Sequence, residues 1–343
     1  MKKIVALLLF ACLLPALAAC GTAGKPADSG YPFRTVTMIV PYNPGGTTDL
    51  VGRALAKALG GALDINIVVE NQPGASGSIG CRAALDAPKD GSVLLFAADS
   101  LGTQRVMGIS DMSYADFSPI YAVANDPKVI VVAKDSPFQT IDALLDEIEA
   151  HPGTVQMAYT GPGGSGHVQA LIMNRFGYDP ALTAYASGSD GIVAVMSGQV
   201  VFTNANYSTV AEYIDAGELR LLAVCAVERM ARYPEVPALT ERMEGSDELF
   251  AIPYTPLSLV VADGVPENVQ KMLREGCEKA FRDPEFVAFM EDNSIDKLYE
   301  KYRTVEETRA FYAEWESTVC WLMADAGATV YSPEQFGIAR PAA

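Results

Sequence analysis

From Thr35 onward the chain alternates short β-branched runs with segments of helical period, and that alternation limits its fold more than any other feature. Val36-Thr37-Met38-Ile39-Val40 is a run of strand length, after which Leu50, Val51, Ala54, Leu55, Ala58 and Leu59 recur at helical spacing. Further strands are expected at 65–69, 93–96, 129–132, 155–159, 182–185, 200–203, 221–226 and 257–261, with helices between most of them. A helix that carries the chain back to a parallel neighbour covers one face of the sheet, so the pattern predicts an α/β fold whose ligands gather at the carboxyl ends of strands. The C-terminal part is mostly helical, with Val269, Met272, Leu273 and Ala280 on one core-facing stripe and Phe311, Trp315, Val319 and Leu322 on another.

The N-terminus sets the compartment. Lys2 and Lys3 precede a short apolar run at 4–14, and the segment closes on Leu17-Ala18-Ala19-Cys20. A basic start, an apolar stretch too short to cross a bilayer and small residues before the cut are the marks of a cleaved lipoprotein signal at 1–19, with Cys20 as the lipidated residue. Residues 20–30 read as a tether, because Gly, Ala, Ser, Pro and charged residues there cannot pack a core. The chain is therefore expected to be exported and lipid-anchored to a membrane on its extracytoplasmic face, periplasmic or outer. Residues 31–343 exceed the size at which a single core usually keeps growing, so two lobes are expected.

The formal charge is −17, and loss of Lys2 and Lys3 with a segment that contains no acid takes the mature chain to −19. Such a charge argues against nucleic acid as a partner. It also repels an anion at long range, so capture of one must rely on short-range, desolvated donors. Cys81, Cys225, Cys277 and Cys320 show no metal-ligand spacing. Cys225 reads as a small buried thiol, while a Cys277–Cys320 pair stays open. Neither a metal nor a cofactor is expected.

Four strand-to-helix loops carry the candidate chemistry. In the first, Tyr42, Pro44, Gly45, Gly46, Thr47 and Asp49 end a strand and open a helix, where free N–H groups and the helix dipole make an anion site without a basic side chain. Equally, Pro-Gly-Gly serves as a turn, a Thr as a cap and Asp49 as a first-turn carboxylate. The second loop offers Thr160, Gly161, Gly163, Gly164, Ser165 and His167. Gly161, Gly163 and Gly166 match a dinucleotide fingerprint, but the following strand does not end in the acid that would hold a ribose. Ser165 and His167 lie two residues apart in one loop, no Gly-x-Ser-x-Gly elbow occurs, and so no enzyme is expected. Ser187, Gly188 and Asp190 form the third loop and Asn204 and Asn206 the fourth, all open to simple capping and turn roles as well. Ser100, beyond the strand at 93–96, completes the candidate ligand-binding set.

These residues resemble one family, the substrate-binding components of tripartite tricarboxylate transporters, of the TctC or Bug type. The resemblance runs from Tyr31 to about Gly327 and rests on Tyr31-Pro32, Val40-Pro41, Pro44-Gly45-Gly46-x-x-Asp49, the Val69-to-Gly80 segment with Asn71-Gln72-Pro73-Gly74-Ala75, Gly161-x-Gly163 with His167, Gly198-Gln199-Val200, Ala216-Gly217-x-Leu219-Arg220, and Pro234-x-Val236-Pro237 before Glu241. It implies a periplasmic-binding-protein-like fold of two lobes, each a mainly parallel sheet flanked by helices. Lobe 1 would comprise 31–130 and 253–343 and lobe 2 131–252, joined by crossing strands near 125–132 and 252–259. It further implies closure over a small carboxylate, delivery to integral membrane permease subunits, or recruitment as a sensor that presents its ligand to a signalling partner. Ala205 stands where the family commonly has Asp, and that lost charge weakens the case for a cationic group on the ligand, while Asp190 could restore one.

Overall fold

In a computed structural model, which describes residues 30–341, strand β1 (Thr35–Val40) lies inside a six-stranded sheet with Val36, Met38 and Val40 fully buried. The signal peptide at 1–19, Cys20 and the tether up to residue 29 lie outside the described residues. Helix α1 (Thr47–Leu63) lays Val51, Leu55 and Leu59 on the sheet and returns the chain to β2 (Asn66–Asn71), parallel to β1. Helix α2 (Ser78–Leu85) leads to β3 (Val93–Ala97), on the other side of β1 and again parallel. Strand β4 (Phe117–Asn125), β10 (Pro256–Ala262) and the short β11 (Asp296–Lys297) complete the order β11-β4-β10-β3-β1-β2.

The second sheet has the order β7-β6-β8-β5-β9, from β5 (Lys128–Ala133), β6 (Gln156–Tyr159), β7 (Ala181–Ala184), β8 (Phe202–Asn206) and β9 (Leu219–Val224). Its connections include α3 (Ile141–Ala150), α4 (Ser165–Arg175), α5 (Gly188–Met196) and α6 (Tyr207–Asp215). The chain passes from the first sheet to the second at Asp126-Pro127 and returns through the segment ahead of β10.

This is a two-lobed α/β fold with helices flanking both sheets, but the sheets are mixed rather than mainly parallel. The crossing strands are the reason: β10 runs antiparallel to β3 and β4, and β5 runs antiparallel to β8 and β9. A strand that enters a sheet from the other lobe has no crossover helix to reverse it. Strand β4 escaped the sequence pattern because Pro119 interrupts its apolar run; the strand carries it beside a register shift opposite β10.

The C-terminal segment contributes α7 (Asp247–Phe250), α8 (Glu267–Ala280), α9 (Pro284–Asp292), α10 (Leu298–Lys301) and α11 (Val305–Asp325). One apolar cluster continues from Leu95 and Leu101 through Trp315 and Val319 of α11 to Val168 and Ile172 of α4, so the long last helix packs against both lobes. Its indole Nε1 of Trp315 donates to the carbonyl oxygen of Pro253 at 2.9 Å, next to the returning crossover. Cys81, Cys225, Cys277 and Cys320 are all buried free thiols, so the Cys277–Cys320 pairing left open by the sequence is not made. Cys277 packs with the first-lobe core and Cys320 with Val106 and Trp321 in a separate cluster.

Candidate functional site

Four helices begin at the same place. The N-caps of α1, α4, α5 and α6 are Gly46, Gly164, Ser187 and Asn206, each with extended backbone before the first turn. All four line one cavity, together with Thr47, Thr48, Ser165, Gly188 and Thr209 from the first turns. Tyr42, Asn43, Ser76, Ala98, Asp99, Ser100, Thr160 and Thr255 close its walls. It lies where the loops after β1, β3, β6, β7 and β8 meet, the usual ligand position in such sheets. The first N–H groups of a helix have no acceptor inside it, and their dipoles add, so converging N-termini hold negative charge without a cationic side chain.

The first loop is locked before it reaches the cavity. Gly45 adopts φ 81°, which a side chain would resist, and this turns its N–H onto Asp49 Oδ2 at 2.9 Å. Asp49 also accepts from Asn71 Nδ2 at 2.8 Å and pairs with Arg53 at 2.9 Å. Burial pushes its carboxyl up, but the bonds from Arg53, Gly45 and Asn71 outweigh that and leave it below the usual range. Tyr42 and Ser100 share a short hydroxyl contact, and Ser100 Oγ donates to the carbonyl of Ser76 at 2.8 Å.

Hydrogen bonds across the cleft hold both the second loop and the first. Thr103 Oγ1 donates to the Gly163 carbonyl at 2.8 Å, Ser76 Oγ to the Pro162 carbonyl at 3.2 Å, and Ser189 Oγ to the Gly45 carbonyl at 3.1 Å. His167 is half-buried; its Nδ1 accepts from the Gly163 N–H at 3.3 Å, and burial lowers its pKa, so it acts as a neutral brace of the loop. Ser165 Oγ lies 3.4 Å from Thr255 Oγ1 and is not bonded to His167, so these two do not form a nucleophile–base pair.

Of the residues expected from the sequence, Tyr42, Gly46, Thr47, Ser100, Thr160, Gly164, Ser165, Ser187, Gly188 and Asn206 line the cavity. The others stand behind or beside it. Pro44 and Gly45 are exposed at the rim, Asp49 is inside α1, and Gly161 and Gly163 shape their loop with positive φ. Asn204 Nδ2 donates to the Gly166 carbonyl at 2.9 Å. Asp190 is exposed in the first turn of α5, which Ser187 caps: its N–H reaches Ser187 Oγ at 3.2 Å and its Oδ2 accepts from the same hydroxyl at 2.8 Å.

Three charged residues of the site escaped the sequence reading. Asp99 follows β3 and accepts the backbone N–H of Ser165 at the start of α4, across the cleft. Asp126, in the crossover, accepts from Thr47 Oγ1, Ser208 Oγ and the Ser208 N–H. Lys128 Nζ, on β5, donates to the Asn204 carbonyl at 3.1 Å and Asn206 Oδ1 at 3.0 Å. It lines a smaller space shared with Thr160, Ser187, Gly188 and Asn206, all of which also line the main cavity. Burial raises Asp99, against the opposing pull of Lys128 and Ser165, and pushes Asp126 up to about 6. Burial lowers Lys128, countered by Asp99 and Asp126. Asp99 carried the same signal as Ser100, its position just past a buried strand; nothing in the sequence put the crossover residues against the cleft.

The description "tripartite tricarboxylate transporter family receptor", TctC, matches residues 51–313. The chain belongs to that family. It is 29% identical over 304 residues to the protein BugT of Bordetella pertussis, covering 87% of this chain and 91% of BugT. In structure it is similar to the periplasmic binding protein BugD, with a TM-score of 0.77, 24% identity, and coverage of 87% of this chain and 99% of BugD. An R. palustris protein solved with adipate gives a TM-score of 0.75 at 22% identity, covering 87% of this chain and 99% of that one. As a TctC-family receptor the chain is a solute-binding protein and not an enzyme.

Proposed function

We propose that this TctC-family receptor is an exported lipoprotein, anchored through Cys20, that captures a small carboxylate outside the cytoplasm and presents it to the membrane permease of a tripartite tricarboxylate-type transporter. The observation that carries the reading is the convergence of four helix N-termini on one polar cavity between two sheets. The amides of Thr47, Thr48 and Gly188 and the hydroxyl of Thr160 receive the carboxylate oxygens, each helix end contributing about 0.3–2 kcal/mol. Residues 131–252 close as one lobe against 31–130 and 253–343.

Closure has a size consequence. The cavity measures about 60 Å³, whereas a cavity known to hold benzene measures about 150 Å³. The lobes must part to admit an organic acid. Asp126-Pro127 and the segment ahead of β10 bend, and the hydrogen bonds from Thr103, Ser76 and Ser189 across the cleft break and re-form. Adipate in the R. palustris relative is consistent with a carboxylate ligand of this class.

A thermal-shift screen of mono-, di- and tricarboxylates and aromatic acids tests the proposal. A ligand at about one hundred times its Kd raises stability by about 2.7 kcal/mol. If none of these anions moves the unfolding midpoint, the carboxylate reading fails.

A further inference from the structure

Asp99 is the part of the cleft that a receptor for a plain anion does not require. Its carboxylate projects from the first lobe into the wall of the cavity, is almost fully buried, and sits on the N-terminus of α4. One of the converging anion sites is therefore already filled by the chain's own acid. The start of α6 is taken as well, its Ser208 N–H bonded to Asp126, so the free helix starts that remain are those of α1 and α5, both lining the same cavity.

The charges around the cleft do not balance. Asp49 is matched by Arg53 at 2.9 Å. Among the described residues Lys128 is the one cation facing two buried carboxylates, Asp99 and Asp126, and its ammonium is spent on Asn204 and Asn206. Asp126 is fully engaged by Thr47 and Ser208. Asp99 is held only by the start of α4, beside the cavity. A dicarboxylate would bring two more negative charges against a wall already one positive charge short, in a place where water cannot screen them. A ligand with one carboxylate and one cationic nitrogen adds no net charge and sets its cation against Asp99.

We infer that the ligand carries a cationic nitrogen in addition to its carboxylate, and that Asp99 is the specificity-determining residue that receives the nitrogen while the starts of α1 and α5 receive the carboxylate. This rests on the proposed reading of the cleft as a carboxylate site and narrows it. Asp190, the other acid near a helix start, is exposed and spent on Ser187, so it does not do this work.

Calorimetric titration of the mature protein with length-matched sets decides the matter: each set contains an amino acid or betaine, the monocarboxylate lacking the nitrogen, and the dicarboxylate, from acetate to adipate length. The nitrogen-bearing member of the best set is expected to bind about ten- to a hundred-fold more tightly than its partners, the scale of one charge-assisted hydrogen bond. Asp99→Asn should erase that ratio while the unfolding midpoint without ligand changes little. If that variant does not fold, the ratios of the unaltered protein still decide. Tighter binding of dicarboxylates, or a ratio that survives Asp99→Asn, overturns the assignment of Asp99 and leaves the carboxylate site standing. Absence of binding by every member of every set overturns the carboxylate reading as well.

Discussion

Thr103 Oγ1 donates to the Gly163 carbonyl at 2.8 Å, and a methyl group placed on Gly163 would stand 2.7 Å from that same oxygen. Gly163 also has φ 85°. Gly46 differs on both counts: its φ is −81°, and a Cβ would meet nothing nearer than the Asn43 carbonyl at 3.7 Å. Gly163→Ala is thus expected to lower stability without ligand by about 1–3 kcal/mol. Gly46→Val should leave folding within about 1 kcal/mol and weaken ligand binding, because its side chain enters the cavity. Urea unfolding and calorimetric titration of the two variants check this; equal stability losses would contradict it.

Lys128 and Arg53 should behave oppositely. Lys128 is buried between two carboxylates, and Lys128→Met leaves Asp99 and Asp126 without a counter-charge, an expected loss of about 3–5 kcal/mol. Arg53 is half exposed and bonds only Asp49 and Asn71 outside the cavity, so Arg53→Ala should cost no more than about 1 kcal/mol. Chemical denaturation at fixed pH gives both numbers. A larger loss for Arg53→Ala than for Lys128→Met would show that the buried lysine is not the counter-charge of the cleft.

Stability should fall as pH rises from about 4 to about 7. Burial pushes Asp126 from 3.8 up to about 6, and burial pushes Glu316 on α11 from 4.5 up to about 7 against the pull of Arg105, 3.6 Å away. A carboxyl with a raised folded-state pKa holds its proton more tightly in the native state. Its stabilising contribution is complete below the unfolded value and lost as pH climbs through the folded one, on the order of 1–3 kcal/mol per group. Glu316→Gln should flatten the upper part of that slope in a series of thermal melts, and an unchanged slope would remove Glu316 as its source.

Cys20→Ser should abolish lipid labelling and release the protein from the membrane fraction. The reason lies wholly in the sequence, where Leu17-Ala18-Ala19 places small residues before the cut at Cys20. Labelling that persists in the variant would refute the anchor.

Most strands were legible because their apolar residues are contiguous and their ends are marked by Gly, Pro and Asn. β4 was not, since Pro119 and the small residues around it carry no periodicity, and its burial comes from β10, which lies more than a hundred residues away. The loops of the cavity were legible as strand-to-helix joints rich in Gly, Ser and Thr. Roles within them were not. His167 looked like a ligand donor and braces Gly163; Asp190 looked like a recognition acid and holds the Ser187 hydroxyl that caps its own helix.

By itself the sequence determined the alternation of strands and helices, the family, and where the helices of the cleft begin, because each depends on residues close together in the chain. Only the tertiary structure decided that the sheets are mixed and that Asp99, Asp126 and Lys128 meet at the cleft. Asp99 reaches Ser165 across 66 positions and Asp126 reaches Thr47 across 79. A local pattern reports what a segment prefers, whereas the charge of a cleft is a sum over side chains that the crossing strands bring together, and burial sets the weight of each.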